Sequence, residues 1–220
     1  MSVPAGPRRE EPRDLAVGDT NNLTQTSTER FPWGERGITK RTYVDKRIVW
    51  QGKYLQAVLR DGYECIERCN IKGIVGIIAV TDDRRLILVE QFRPPVQARV
   101  IELPAGLAGD TAQFKDETLE TAARRELLEE TGYQAGQMVQ VAHGAASAGL
   151  SDEMITLMLA TGLIKVGDGG GDEHEDITVH EVPLDGLMGW LQERQAKGTV
   201  IDLKVYSALA FCQQDPHERA

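Results

Sequence analysis

The chain is poor in cysteine, in aromatic residues and in positive charge, and it has no long apolar run. Three cysteines in 220 residues, Cys65, Cys69 and Cys212, form an odd set without the paired spacing of a zinc site, which excludes a disulfide framework and a metal knuckle as organising devices. A formal charge of −9 and a pI near 5.0 exclude a broad nucleic-acid footprint, which needs a basic face to displace counterions from phosphates. A small anionic substrate would therefore need a metal ion or local arginines. No stretch reaches the ~20 apolar residues of a membrane span, and residues 1–22 lack the apolar centre of a secretory signal. These absences predict a cytoplasmic protein with neither nucleic-acid nor membrane partners. With 41% hydrophobic and 27% charged residues, the chain is long enough to bury a real core.

No internal repeat is visible. Residues 1–35 are rich in Pro, Arg, Glu, Thr and Asn without periodic apolar positions and predict a loose tail. Residues 36–72 predict a small antiparallel β subdomain: "RIVW", "KYLQAVLR" and "YECIERC" read as strands, the last two joined by Asp61-Gly62, a hairpin pair. Residues 73–214 predict the main domain. Its runs "GIVGIIAV" and "RLILVEQF", split by "TDDR", suit strands buried on both faces. "VIELPAG" predicts a short strand stopped by Pro104 and Gly106, and "QMVQVAHG", "MITLMLA" and "DITVHEVP" are further strands. Leu184, Leu187, Met188 and Leu191 share a helix face before Gly198, and "DLKVYSALAFC" predicts a closing helix. The pattern points to an α/β fold with a mixed sheet.

The informative stretch is "RRELLEETGY". From Glu117 to Thr131 there is no Pro or Gly, Leu119, Ala123 and Leu127 recur every four residues, and Gly132 supplies a left-handed stop. On such a helix Glu126, Glu129 and Glu130 are neighbours at three- and four-residue spacing and repel one another, near the negative end of the helix dipole. A dication would turn that cost into affinity, and magnesium suits an all-oxygen set; zinc would want His or Cys. The same spacing also describes a solvated, ion-paired helix face.

The segment "ETLETAARRELLEETGY" resembles the Nudix box, G-x5-E-x7-R-E-U-x-E-E-x-G-U with U apolar. Glu117, Arg125, Glu126, Leu127, Glu129, Glu130, Gly132 and Tyr133 fall in place. The opening glycine does not: its position holds Thr111, and Gly106 is separated from Glu117 by ten intervening residues, so "LAGDTAQFKD" is a longer loop than usual. The resemblance implies a Nudix-type α/β/α sandwich.

Outside the box, "VEQFRPPV", "IELPAGL" and "TVIDLKVYSALAF" resemble the ADP-ribose and nucleoside diphosphate sugar diphosphatase branch, over roughly residues 43–211. That likeness implies Mg2+, with Mn2+ as a substitute, held by the Ala105 carbonyl and the carboxylates of Glu126, Glu129 and Glu130, and Arg93 gripping a phosphate oxygen. It also implies a homodimer that exchanges its β subdomain, with Tyr54, Tyr63, Glu64 and Arg68 at the base and ribose. Tyr54 and Tyr63 serve equally well as core packing, with Trp33 and Trp50 as alternative stacking rings. The water-activating acid falls on "VGDGGGDEHEDITV", as Glu173 or Glu175, where three glycines read as freedom for a moving loop. Glu153 is a third acid, placed near the terminal ribose. His143, His174 and His180 read as structural.

Enzymes of this branch that prefer ADP-ribose usually carry proline about sixteen residues after the box, where this chain has Ala148; GDP-mannose or a broader set of nucleotide sugars is thus an alternative. A non-catalytic nucleotide-sugar sensor is the rival from another class, and sanitation of oxidised nucleoside triphosphates is a second enzymatic reading.

Overall fold

A computed structural model describes residues 45–171 and 176–212. The tail at 1–35, Trp33, His174, Glu173 and Glu175 lie outside these residues.

Three strands open the described chain: β1 (Lys46–Gln51), β2 (Leu55–Arg60) and β3 (Tyr63–Arg68). They pair antiparallel in sequential order. Asp61 at φ 49° and Gly62 at φ 81° form the turn between β2 and β3, both in the left-handed region that tight hairpins require. The larger sheet contains β4 (Gly73–Val80), β5 (Arg85–Arg93), β6 (Ala98–Glu102), β7 (Ala105–Ala108), β8 (Tyr133–Ala145), β9 (Met154–Lys165), β10 (Thr178–Pro183) and β11 (Val200–Ile201). Its main path runs β11-β6-β5-β4-β9-β8, with β10 on β5 and β7 on β4. The β4/β9 and β6/β11 pairs are parallel and the rest antiparallel, so the sheet is mixed.

Strand alternation builds a core on each face. Val75, Ile77, Ala79 and Ile87 point to the side covered by α1 (Leu119–Thr131), where they meet Ala122, Ala123 and Leu127. Ile78, Leu86 and Leu88 point to the opposite side and meet Leu187 and Leu191 of α2 (Leu187–Ala196) and Val205 and Ala208 of α3 (Leu203–Cys212). Most of these side chains are fully buried, each large one contributing about 1.5–3 kcal/mol. The result is the expected α/β/α sandwich with a separate antiparallel β sheet. Among the described residues no helix is long and apolar enough to cross a membrane.

Two expectations need correction. The strand in "VIELPAG" begins earlier, at Ala98, and Gly106 does not stop it: the chain bends at Pro104 and resumes as β7, where Gly106 pairs with Val75. Glycine stands there because a helix side chain comes too close for any other residue.

Candidate active site

Helix α1 starts where Thr118, extended at φ −82°, caps it by accepting from the Thr121 amide at 3.1 Å. Glu117 is thereby left outside the helix and turns back: its carboxylate accepts from the Gly109 amide at 3.2 Å and from Arg125 Nη2 at 3.1 Å. Burial raises the Glu117 carboxyl, but Arg125 and the Gly109 amide outweigh it and hold the group below the ordinary glutamate range. Arg125 is the hub of this face. Its Nη1 donates to Glu126 at 2.8 Å and Glu129 at 3.0 Å, and its Nη2 to the Leu107 carbonyl at 3.2 Å. Burial works against its charge, but the surrounding carboxylates push its pKa well up. The long loop after β7 closes over it, with Phe114 placing its ring centroid 4.3 Å from the guanidinium carbon, a cation–π contact.

Two of the three box acids, Glu126 and Glu130, meet β7. A Cβ built on Gly106 would lie 1.9 Å from the Glu126 carboxyl carbon, so the missing side chain is a cradle for that carboxylate. Glu130, 4% exposed, accepts from the Ala105 amide at 3.0 Å. The resemblance pointed to the Ala105 carbonyl; the contact seen is through its N–H. Among the described residues no three His, Cys, Asp or Glu side chains are drawn together as a metal cage, because Arg125 holds Glu126 and Glu129 on itself. The donor set nonetheless fits a hard dication: carboxylate oxygens on one helical turn, beside a backbone turn whose glycine admits them.

Of the other predicted residues, the structure gathers some and scatters the rest. A cavity of about 360 Å³ is lined by Lys53, Tyr54, Arg68 and Leu107, among others, and Leu107 follows Gly106 directly on β7. Arg68 Nε donates to Glu153 at 2.5 Å. Tyr63 and Glu64 are exposed on β3 outside that cavity, and the Tyr63 hydroxyl donates to the Gly149 carbonyl at 3.2 Å. With Tyr54 and Tyr63 at 64% and 60% exposure, neither is core packing in this chain. Arg93 Nε donates to Glu102 at 2.6 Å, an ion pair that orients the guanidinium. Ala148 is exposed in the turn after β8. A larger cavity, about 520 Å³, lies between the ends of β8 and β9 and the start of α3 and contains no predicted site residue.

His143 Nδ1 lies 3.0 Å from Thr156 Oγ1, and His180 Nε2 lies 2.8 Å from Glu90 while its ring meets Trp190 edge-on. Both fit the structural role expected of them.

Sequence reasoning passed over four acids and bases that matter: Glu67, Glu90, Arg99 and Glu102. Glu90 sits within "LILVEQF" and Glu102 within "VIELP", and a charge interrupting an apolar strand is itself a signal of a buried, paired group. Glu90 accepts from Arg99 Nε at 3.0 Å; burial raises its carboxyl, and the bonds from His180 and Arg99 bring it below the usual range.

The box geometry, with its cradle and its hub arginine, agrees with the match of residues 72–200 to the NUDIX domain family. The match spans more than half of the chain, and the chain belongs to that family. Over 142 residues it is 35% identical to the "Methanol dehydrogenase activator" of Bacillus methanolicus, covering 64% of this chain and 72% of the relative. Over 177 residues it is 34% identical to the "ADP-ribose pyrophosphatase" of Bacillus subtilis (strain 168), covering 77% and 91%. A solved structure described as "Crystal structure of ADP compounds hydrolase" shares the fold with a TM-score of 0.53 at 20% identity, covering 68% of this chain and 81% of that one.

Proposed function

We propose that the protein is a Mg2+-dependent diphosphatase that hydrolyses the diphosphate linkage of ADP-ribose or a related nucleoside diphosphate sugar to a nucleoside monophosphate and a sugar phosphate. The observation that carries this reading is the Gly106 cradle, which brings Glu126 of the box helix against β7, beside the bond from Ala105 to Glu130. The similarity to an ADP-ribose pyrophosphatase over most of both chains supports the substrate class.

Glu126, Glu129, Glu130 and Ala105 would hold the metal, with Mn2+ as a substitute. When bound, the cation supplies charge neutralisation to the diphosphate and polarises the phosphorus. The remaining work belongs to this chain's own groups. Arg93, oriented by Glu102, offers its Nη groups to a phosphate oxygen. Tyr54 and Arg68 receive the nucleoside in the cavity beside Leu107, while Tyr63, Glu64 and Glu153 complete the base and ribose contacts by likeness to the family. Glu173 or Glu175 takes a proton from the attacking water as the bridging P–O bond breaks; this assignment rests on the resemblance alone. Exposed Ile48, Val49 and Trp50 on β1 support pairing of two copies through the β subdomain, which light scattering of the purified protein tests.

Ala148 favours a second substrate reading, GDP-mannose or a broad nucleotide-sugar range. A panel of ADP-ribose, ADP-glucose, GDP-mannose, UDP-glucose and dinucleoside polyphosphates with Mg2+, read by phosphate released after phosphatase coupling, separates the two. A panel flat for every compound, with measurable ligand binding, makes the protein a sensor and overturns the proposal.

A further inference from the structure

The three glycines before Glu173, read from sequence as a source of freedom, are tied down. Gly169, Gly170 and Gly171 all have left-handed backbones, with φ of 70°, 110° and 79°. The Gly170 amide donates to the Glu130 carbonyl at 2.8 Å and the Gly171 amide to the Glu129 carbonyl at 3.1 Å. One residue past the helix, the Gly132 carbonyl accepts from Val166 at 2.8 Å and Gly167 at 3.2 Å. A segment that follows β9 therefore caps the last turn of α1, satisfying carbonyls that a helix end leaves without partners inside the helix.

Contact is too close for side chains at two points. A Cβ on Gly169 would lie 2.4 Å from the Thr131 carbonyl carbon and 2.6 Å from the Glu130 oxygen, all backbone atoms that cannot swing aside, and one on Gly132 would lie 2.2 Å from the Gly167 oxygen. Gly170 meets nothing within 4 Å, and neither does Gly167, which is absent from the left-handed glycines.

We propose that the glycine run is a positioning device for the metal-binding carboxylates, with Gly169 as its key residue. The gripped carbonyls belong to Glu129 and Glu130 themselves, so the run fixes the backbone from which two of the three acids project. Its amides also bring partial positive charge to the negative end of the dipole, where those acids repel one another most. The inference rests on the reading that Glu126, Glu129 and Glu130 hold the divalent ion.

The test is calorimetric titration of Mn2+ into the full-length protein without substrate, with melting temperature and Mg2+-dependent turnover measured on the same samples. Gly169→Ala should weaken Mn2+ binding about tenfold, the low end of what groups supporting a metal ligand are worth, and lower kcat more than it raises KM. Gly167→Ala should leave both unchanged. Gly170→Ala, strained in φ but free of collisions, should fall between and serves if Gly169→Ala does not fold. If Gly169→Ala and Gly170→Ala bind Mn2+ as tightly as the parent while Glu130→Gln does not, the positioning role is wrong and the metal site stands. If Glu130→Gln also binds as tightly as the parent, the metal reading fails and takes this inference with it.

Discussion

In the three-stranded sheet, buried Glu67 is met by Lys46 Nζ at 2.7 Å, Gln56 Nε2 at 2.6 Å and the Arg60 guanidinium. Arg60 also reaches Asp152 at 3.2 Å, so two cations face two acids. On α1 the carboxylates stand differently: Arg125 meets Glu117, Glu126 and Glu129, Lys72 adds its charge near Glu117, and Glu130 lies against the Ala105 amide. The first cluster is electrically closed and gains nothing from another ion. The second sets Glu126, Glu129 and Glu130 at three- and four-residue spacing near the negative end of the helix dipole, where like charges repel, and in the proposed reading a divalent ion relieves that repulsion. Placement on the helix, and not burial, therefore distinguishes the proposed metal carboxylates from the paired Glu67: Glu67 and Glu130 are both 4% exposed.

The sharpest way to break this contrast is to neutralise one acid in each cluster. Glutamine at 130 can still accept from Ala105, so Glu130→Gln should fold normally while turnover falls on the order of 10²–10³-fold, the scale of losing one preorganised electrostatic contact to the transition state. Glu67→Gln should do the reverse. Its amide N–H₂ would confront the Lys46 and Gln56 donors, costing about 1–3 kcal/mol of stability with kcat unchanged. Steady-state kinetics and urea denaturation of both variants decide it; a Glu130→Gln enzyme at the parent rate on every nucleotide sugar removes the functional assignment.

Gly106→Ala is the next largest effect and isolates geometry from charge. The colliding atoms are the tip of the Glu126 side chain, which can move aside, so stability should change little. The carboxylate would be expelled from its cradle by an ångström or more, and a misplacement of that size costs about 10²-fold in rate. An alanine variant with the parent kcat would show that Glu126 does its work from somewhere else.

How much of this was legible in the sequence follows the range of the interactions. The helix, its acids and its glycine stop depend on neighbours three and four apart and were readable. So were the hairpin at Asp61-Gly62 and the two-face alternation of β4 and β5. The cradle at Gly106 has the sequence signature of a strand end, because the need for glycine arises from a side chain twenty residues on. The capping role of Gly169–Gly171 was hidden for the same reason: left-handed backbone and flexible backbone have the same residue signature. Tyr54 and Tyr63 stayed ambiguous because strand periodicity does not say which face is covered.

Those tyrosines give a smaller, sharper test. Both are exposed, so Tyr54→Ala should leave stability within about 0.5 kcal/mol. If the cavity beside Leu107 takes the nucleobase, the variant should raise KM about two- to tenfold, matching the roughly 0.5–1.5 kcal/mol of an aromatic pair, without lowering kcat. A Tyr54→Ala variant with the parent KM on every nucleotide sugar would take the ring out of the substrate site.

The smallest effect lies in the acid limb of stability. Burial raises the Glu67 carboxyl, and the bonds from Lys46, Arg60 and Gln56 more than reverse it, so its folded pKa is below the ordinary value. A group depressed on folding adds stability that is fully present above the unfolded value, about 4.3, and is lost as pH falls through the folded one, because the unfolded chain then binds more protons. Glu117 and Glu90 are shifted the same way, so the parent should weaken progressively below about pH 5. Glu67→Gln cannot take up that proton. Its urea midpoint should start lower at pH 7, fall less steeply toward pH 3, and approach the parent curve there. Parallel curves from pH 7 to 3 would mean that the balanced cluster contributes no proton linkage, and that its cations are not what keeps Glu67 charged.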